Sequence, residues 1–472
     1  MSVAIPKNLE YMNKNLSAPA RAYVANLQPE GATSGYLRNT TCKIQIPTGG
    51  NLVMDPLNSY LKFTLDGMVN GANANLLRLD GAGAHGVISR LTVTHGSTEI
   101  EDVPNYNMLA KLMMSLQESS DGHSGKMNML GGTFKGYANS GGNCSVIPLV
   151  GEKLTATLPE LYDASGNAAV IAGGAAVAKR SYCINLISYV GSLCGDKYIP
   201  LFDMGRSNLT LSIQFADSAY KFLCVDEDLA NTGAFRIDNV ELVASFIELS
   251  DDTIATIRAS QMGQPLQYVI PRYSNVTQTQ ELKHNSTTTV SLQVAAPYAS
   301  LKSILCPLRS RAEGDTRNFF PLASTHHNLT NWRFQIGSLL IPSKSVEGVV
   351  ESYAELLKSI GILSDLNHEP SLNYVTYAQD AHPLANNETA GSIGTTTRSP
   401  CFAIGLDLDL ETYSSADKSR IFSGMDTRNS NIYLNATFNQ QGGGAHINCR
   451  FDFFALYDQV IVFENGDSRI VR

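Results

Sequence analysis

A nine-residue segment occurs twice in this chain, close to half the chain length apart. Ser207-Asn208-Leu209-Thr210-Leu211-Ser212-Ile213-Gln214-Phe215 aligns with Ser430-Asn431-Ile432-Tyr433-Leu434-Asn435-Ala436-Thr437-Phe438. The Ser, the Asn, the second Leu and the Phe are identical, and Leu209 stands opposite Ile432. Both copies alternate apolar and polar residues in phase, the two-residue period of a half-buried β-strand. One short match can arise by chance among similar strands. A repeated order of elements around it would make the chain two copies of one unit.

The order does repeat. In the first half, alternating segments at 42–46, 60–65 and 87–100 predict strands. A helical pattern follows over 106–117, where Leu109, Leu112, Met113 and Leu116 recur at i, i+3, i+4 and i+7. A Gly-, Ser-, Asn- and Ala-rich stretch, 118–179, precedes strands at 181–189, 209–215 and 240–249. In the second half, strands at 287–294, 301–308 and 332–341 lead to a helix over 349–360, with Val350, Tyr353, Ala354 and Leu357 on its apolar face. A loop-rich stretch, 367–400, then precedes strands at 402–410, 432–438, 449–456 and 459–463. Each copy spans roughly 200 residues, the scale of an eight-stranded sandwich with long loops. The predicted fold is all-β: two consecutive eight-stranded antiparallel sandwiches, each with one short helix and long loops. An extended arm is expected over 1–40, broken by Pro6, Pro19, Pro29 and Gly31. The first sandwich is expected over 41–255, carrying the insertion 118–179, and the second over 256–472. Between them, 251–262 reads as a less apolar connector, punctuated by Pro265 and Pro271.

The charge balance narrows the function classes. Net charge is −8 and no run of Lys or Arg occurs. In the arm, Lys7, Lys14, Arg21 and Arg38 are partly balanced by Glu10 and Glu30. Direct sequence-specific nucleic-acid binding is therefore not expected, since a gripping surface needs a basic face. Charged residues make up 17% of the chain, against about a quarter in typical soluble domains. Short polar residues take their place, which suits close protein–protein contact and equally suits an ordinary all-β composition. The eight cysteines are scattered without a CxxC pair, so free thiols made in a reducing compartment are expected. No apolar run approaches the ~18 residues of a membrane span, and no secretory signal opens the sequence. Neither secretion nor membrane insertion is expected, and sequons such as Asn208-Leu209-Thr210 and Asn435-Ala436-Thr437 read as chance matches.

Gly81-Ala82-Gly83-Ala84-His85-Gly86 fits GxGxxG, but dinucleotide binding needs a helix directly after it. The residues that follow alternate as a strand, so a glycine turn between strands is the better reading. Asp407, Asp409 and Glu411 sit at i, i+2 and i+4 of a predicted strand and could share a calcium ion. Leu406, Leu408 and Leu410 form a core face opposite them, which favours a plain solvent-facing row. His326 and His327 are adjacent, and neighbours on a strand point apart, a poor arrangement for shared ligation. Trp332, the sole tryptophan, lies in an alternating segment and is expected in the core. No GxSxG, P-loop or HExxH motif occurs. No cofactor and no enzymatic site are expected.

Several segments carry a resemblance. Ile46-Pro47-Thr48-Gly49, followed by Asp55-Pro56-Leu57-Asn58-Ser59-Tyr60-Leu61-Lys62-Phe63, resembles the opening of double jelly-roll major capsid proteins of double-stranded DNA viruses, of the Polinton-like virus, virophage and adintovirus type. Tyr198-Ile199-Pro200-Leu201-Phe202, the segment Phe334 to Pro342, and Phe453-Phe454-Ala455-Leu456-Tyr457-Asp458 are similar to later parts of the same family. The resemblance covers most of 40–472, and the insertion 118–179 matches none of its motifs. It implies two jelly rolls per chain, a homotrimeric capsomer of pseudo-hexagonal outline and an icosahedral virion. By the same resemblance, 118–179 and 367–400 are outer loops. The arm 1–40 and the trimer sides would meet neighbouring capsomers, minor capsid and penton proteins, or an inner membrane. The protein would be made in host cytoplasm or nucleus. Two alternatives stay open: an all-β carbohydrate-binding protein or glycan-active enzyme, and a minor virion spike or turret subunit.

Overall fold

The computed structural model describes residues 20–66, 78–119, 122, 126–132, 137–138, 144–145, 179–195, 197–218, 221–224, 235–310, 321–363, 369–378, 400–409, 424–441, 446–464 and 466–471. Sixteen strands build two sandwiches. The first comprises β1 (Ala20–Leu27), β2 (Thr41–Ile46), β3 (Leu52–Asp66), β4 (Ile88–His95), β5 (Thr98–Pro104), β6 (Lys179–Ile184), β7 (Leu209–Phe215) and β8 (Arg236–Leu249). The second comprises β9 (Leu266–Leu282), β10 (Thr288–Val294), β11 (Leu301–Ser310), β12 (Leu329–Ile336), β13 (Leu339–Glu347), β14 (Ala403–Asp407), β15 (Ile432–Phe438) and β16 (Ile447–Glu464). A last strand, β17 (Asp467–Val471), folds back onto the end of β16.

The sheet orders are β1-β8-β3-β6 and β2-β7-β4-β5 in the first sandwich, and β9-β16-β11-β14 and β10-β15-β12-β13 in the second. Adding eight to each label of the first sandwich gives the second, so the duplication read from the sequence is a duplication of topology. The pairs are antiparallel and the two sheets interleave along the chain, as in a jelly roll.

The repeated segments are β7 and β15. Each lies second in its sheet, β7 between β2 and β4, β15 between β10 and β12. Leu209, Leu211, Ile213 and Phe215 are buried in one, and Ile432, Leu434, Ala436 and Phe438 in the other. A second pair of matching segments adjoins them. His95-Gly96-Ser97-Thr98 joins β4 to β5, and Ile336-Gly337-Ser338-Leu339 joins β12 to β13. Both turn glycines are left-handed, Gly96 at φ 57° and Gly337 at φ 58°, a region that costs other residues about 1 kcal/mol or more. The hydroxyls of Ser207 and Ser430, shared by the two nonamers, lie against these turns. The repeated Ser and the repeated Gly therefore belong to one contact made twice.

Three helices matter. α1 (Tyr106–Gln117) follows β5, and α3 (Gly348–Ser359) follows β13, so they hold equivalent places. Every residue of α1 from Tyr106 to Leu116 is buried. In α3 the buried residues are Ser352, Leu356 and Ser359, while Val350 is 76% exposed. The apolar face predicted for this helix is thus rotated. Trp332 Nε1 donates to Ser352 Oγ at 2.9 Å, so the buried indole draws a hydroxyl inward in place of Val350. α2 (Asp251–Ser260) occupies the segment read as a connector. Ser250 caps it by accepting from Thr253 N, and Asp251 and Asp252 complement its N-terminal dipole. Its buried Ile254 packs with Val53 and Phe202.

Other boundaries also move. The irregular arm expected to residue 40 gives way to a strand over Ala20–Leu27, paired with β8 along its length. Pro271, read as punctuation, lies inside β9, where it is tolerated because β9 is a sheet edge. The strand expected over 87–100 is a buried 3-10 turn, Gly83–Val87, then β4 and β5 as a hairpin. The GxGxxG segment is thus a glycine turn feeding a strand. Trp332 is buried in the core. Cys42, Cys306 and Cys401 are buried free thiols, Cys449 is buried and Cys183 is partly buried; burial pushes Cys42 up to about 11. The expected outer loops at 118–179 and 367–400 fall largely outside the described residues. Buried apolar side chains of both sandwiches form one continuous core.

Candidate functional site

The most chemically elaborate place among the described residues is the seam between the two sandwiches. Its first wall is α1, β5 and the turn after Leu79; its second is β9, β17 and the chain around Leu322 and Pro400. Lys111, in the middle of α1, is 1% exposed. Its ammonium donates to Leu322 O at 2.6 Å and Pro400 O at 2.8 Å, both in the second sandwich. Asp80 accepts from Leu322 N and from Gly81 N, each at 2.6 Å. The C-terminal carbonyls of α1 are capped across the seam: Leu372 N donates to Ser115 O at 3.0 Å and Ser371 N to Glu118 O at 2.7 Å.

A second polar group lies at the start of α1. Asn105 accepts from Arg450 Nη2 at 2.7 Å and donates to Asn275 Oδ1 at 2.8 Å. Arg450 Nε in turn donates to Asp452 at 2.9 Å. His95 sits between Ser468 Oγ at 2.8 Å and the carbonyls of Met204 and Ser207 at 3.1 and 2.9 Å. Glu101 accepts from Ser188 Oγ at 2.5 Å and Tyr189 N at 2.9 Å, while its Oε1 is buried without a hydrogen-bond partner. Burial raises the Glu101 carboxyl, outweighing those bonds and the nearby Arg272 guanidinium. His85, bonded to Tyr106 OH at 2.9 Å, is pushed down to about 3 by burial and is neutral.

Chemically this arrangement holds two bodies in one register. Buried ionic groups rarely add much net stability, but breaking one orphans its partners, so each wrong register is penalised. The Ser468 hydroxyl does meet an imidazole, that of His95, but the contact is buried, and the other ring nitrogen of His95 is bonded to the carbonyls of Met204 and Ser207, with no carboxylate to orient the ring.

The residues singled out from the sequence lie elsewhere. Asp407 ends β14, opposite Ser303, and accepts from Asp409 N at 3.1 Å. Burial pushes it up to about 6, with Asp409 adding repulsion. Leu406 and Leu408 are buried beside it as expected. Glu411 and Leu410 lie outside the described residues. The neighbouring Asp458 accepts from Lys302 at 2.9 Å and Ser300 at 2.9 Å. The carboxylates therefore sit around an internal ion pair, and among the described residues no three potential ligands assemble for a metal. His327 is buried at φ 48° and His326 packs on Phe402, so the doublet does not converge.

The seam residues were missed in the sequence, although α1 held a signal. Apolar side chains surround Lys111 on all sides of that helix, and a helix apolar all round is buried. Its single charge must then find buried partners.

Two jelly rolls in tandem, fused across a polar seam, define a double jelly-roll protein. VP54 of PBCV-1, in a structure fitted into the virophage Sputnik, aligns at TM-score 0.61 and 10% identity, covering 98% of this chain and 99% of that one. A chain of the Sputnik virophage particle aligns at TM-score 0.58 and 10% identity over 100% of this chain and 93% of its own. The mavirus major capsid protein aligns at TM-score 0.54 and 10% identity over 100% and 95%. No protein-family model matches the sequence, and no curated protein is similar to it in sequence. At such identity the likeness is one of fold, and it spans both sandwiches and the seam.

Proposed function

We propose that the chain is the major capsid protein of a double-stranded DNA virus, a structural and non-enzymatic subunit. The observation that carries this is the end-to-end match of the whole two-sandwich body, seam included, to capsid proteins of PBCV-1, Sputnik and mavirus. A single sandwich could serve many purposes, since fold alone does not set function. Two identical topologies locked in fixed register make instead a rigid building block with two pseudo-equivalent sides. Three copies form a pseudo-hexagonal capsomer, and capsomers tile an icosahedral shell through their flanks. Minor capsid and penton proteins, or a membrane beneath the shell, meet the trimer sides and the N-terminal residues 1–40. The protein resides in the virion.

Light scattering on the purified chain, followed by negative-stain microscopy, tests this. The expected result is a mass three times that of the chain, with hexagonal outlines. A monomer at all concentrations overturns the proposal.

A further inference from the structure

We infer that His284 and His446 form a binding site for a divalent transition-metal ion of the zinc type, at one end of the second sandwich. The inference does not depend on the capsomer reading.

The fold brings together two histidines that are remote in sequence. Strands β9 and β16 pair in unbroken register up to Leu282 and Ile447. His284 lies just past the end of β9, in the turn to β10, and His446 lies just before β16, in the connection from β15. Backbone bonds fix the chain under them. Lys283 N donates to Thr288 Oγ1 at 3.0 Å and closes the turn. Gln441 N donates to Lys283 O at 3.0 Å and ties the turn to the connection that carries His446. Leu282, Thr288 and Gln441 are themselves buried. A side chain on so firmly held a turn meets a ligand at little ordering cost.

The geometry of the pair suits one shared ion. The ring centres are 4.9 Å apart and the planes cross at 67°. Two imidazoles on one ion, with metal–nitrogen bonds of about 2.0–2.1 Å at roughly 90–110° to each other, place their ring centres about 4.5–5.2 Å apart. The observed separation falls inside that range. Edge-to-face packing also accounts for the distance, but not for the polar atoms. Nδ1 of His284 is shielded from solvent and has no hydrogen-bond partner, whereas buried polar atoms are nearly always partnered. An ion satisfies that nitrogen. His446 is exposed, so its ring is free to turn a nitrogen to the same ion. Imidazole suits zinc, copper and nickel, while calcium and magnesium take oxygen ligands. Among the described residues no third histidine, cysteine or carboxylate completes a set, so water fills the other positions and the ion exchanges readily. The corresponding connections of the first sandwich, 28–40 and 216–235, contain no histidine. The pair is therefore an addition to the second sandwich and no remnant of the duplication.

A bound ion clips the β9–β10 turn to the β15–β16 connection. The unfolded chain does not hold the two imidazoles together, so the ion stabilises the folded state by linkage. Zinc chloride titrated into the purified full chain by isothermal calorimetry tests the site. The expected result is one ion per chain, and a melting temperature that rises with zinc and returns on adding EDTA. His284→Gln and His446→Gln should each weaken zinc binding by about tenfold or more and abolish the rise. Because both rings hold one ion, the double variant should lose no more than either single variant. Neither side chain is part of the core, so melting temperatures without metal should match wild type and verify folding. Copper(II) added below stoichiometry gives a second readout, an electron paramagnetic resonance spectrum with two coupled imidazole nitrogens in the wild type and one in each variant. A wild type that binds no zinc at millimolar concentration, or binding that survives either substitution, overturns the site and leaves the capsomer reading untouched.

Discussion

At the residue scale, two buried charges of the seam make separable predictions. Burial raises the Glu101 carboxyl above its unfolded value of about 4.3. The folded state then binds the proton more tightly than the unfolded one. Glu101 therefore costs no stability below the unfolded value, and its penalty grows as pH rises toward the folded value. Glu101→Gln mimics the protonated form. It should stabilise the protein by about 1 kcal/mol at pH 8 and change little near pH 4, as read from urea midpoints at both pH values. A destabilised variant at pH 8 would show that the Arg272 attraction outweighs burial. Lys111→Met should act in the opposite sense. It keeps the volume but leaves Leu322 O without the Lys111 donor and Pro400 O with Ser324 N as its remaining donor, at a cost of about 2–4 kcal/mol at neutral pH. An unfolding midpoint equal to wild type would remove Lys111 from the account of the seam.

At the element scale, the duplicated hairpins give an internal control. Gly96→Ala and Gly337→Ala each place a Cβ at positive φ, costing about 1 kcal/mol. At Gly96 the new methyl would also meet Ser207 Oγ at 3.1 Å, whereas at Gly337 the nearest atom, Ser430 Oγ, stands at 3.6 Å. Gly96→Ala should therefore have the lower melting temperature of the two, and the reverse order would contradict the contact shared by the repeats. Strands that bury one face of a sandwich, such as β7 and β15, were legible because alternation is the signature of that burial. β1 was not, because its first five residues are exposed on both faces and no alternation is imposed on them. β9 was obscured by Pro271, whose missing N–H is harmless only at an edge that the sequence does not reveal. α2 escaped notice through its weak apolar face, with Ile254 its one buried residue, although Ser250 and two aspartates marked its start. The walls of the seam were hidden for a different reason: their partners are remote in sequence, Tyr273 standing 160 positions from Met113 and Ser468 373 positions from His95.

At the scale of the whole molecule, the seam decides whether the chain behaves as one body or two. Tandem domains usually unfold separately when the surface between them is small and polar. Here the apolar cores are continuous, and the polar groups are mutually dependent. If the second sandwich unfolded alone, Lys111 and Asp80 would lose Leu322, and Asn105 would lose Arg450 and Asn275. The carbonyls that end α1 would also lose Ser371 and Leu372. Helix α1, apolar on every side, would be left facing water along the wall it now buries. Unfolding one half thus destabilises the other. Scanning calorimetry of the isolated chain should therefore show a single transition despite the two folds. Lys111→Met combined with Asn105→Gly, which the left-handed φ of 53° at that position accommodates, weakens both polar groups while leaving each sandwich core intact, and should broaden that transition or split it in two. Two resolved transitions in the wild type would mean that the sandwiches are only tethered. A block with fixed register could not then derive from the seam, and the geometry of assembly would have to be imposed by neighbouring copies.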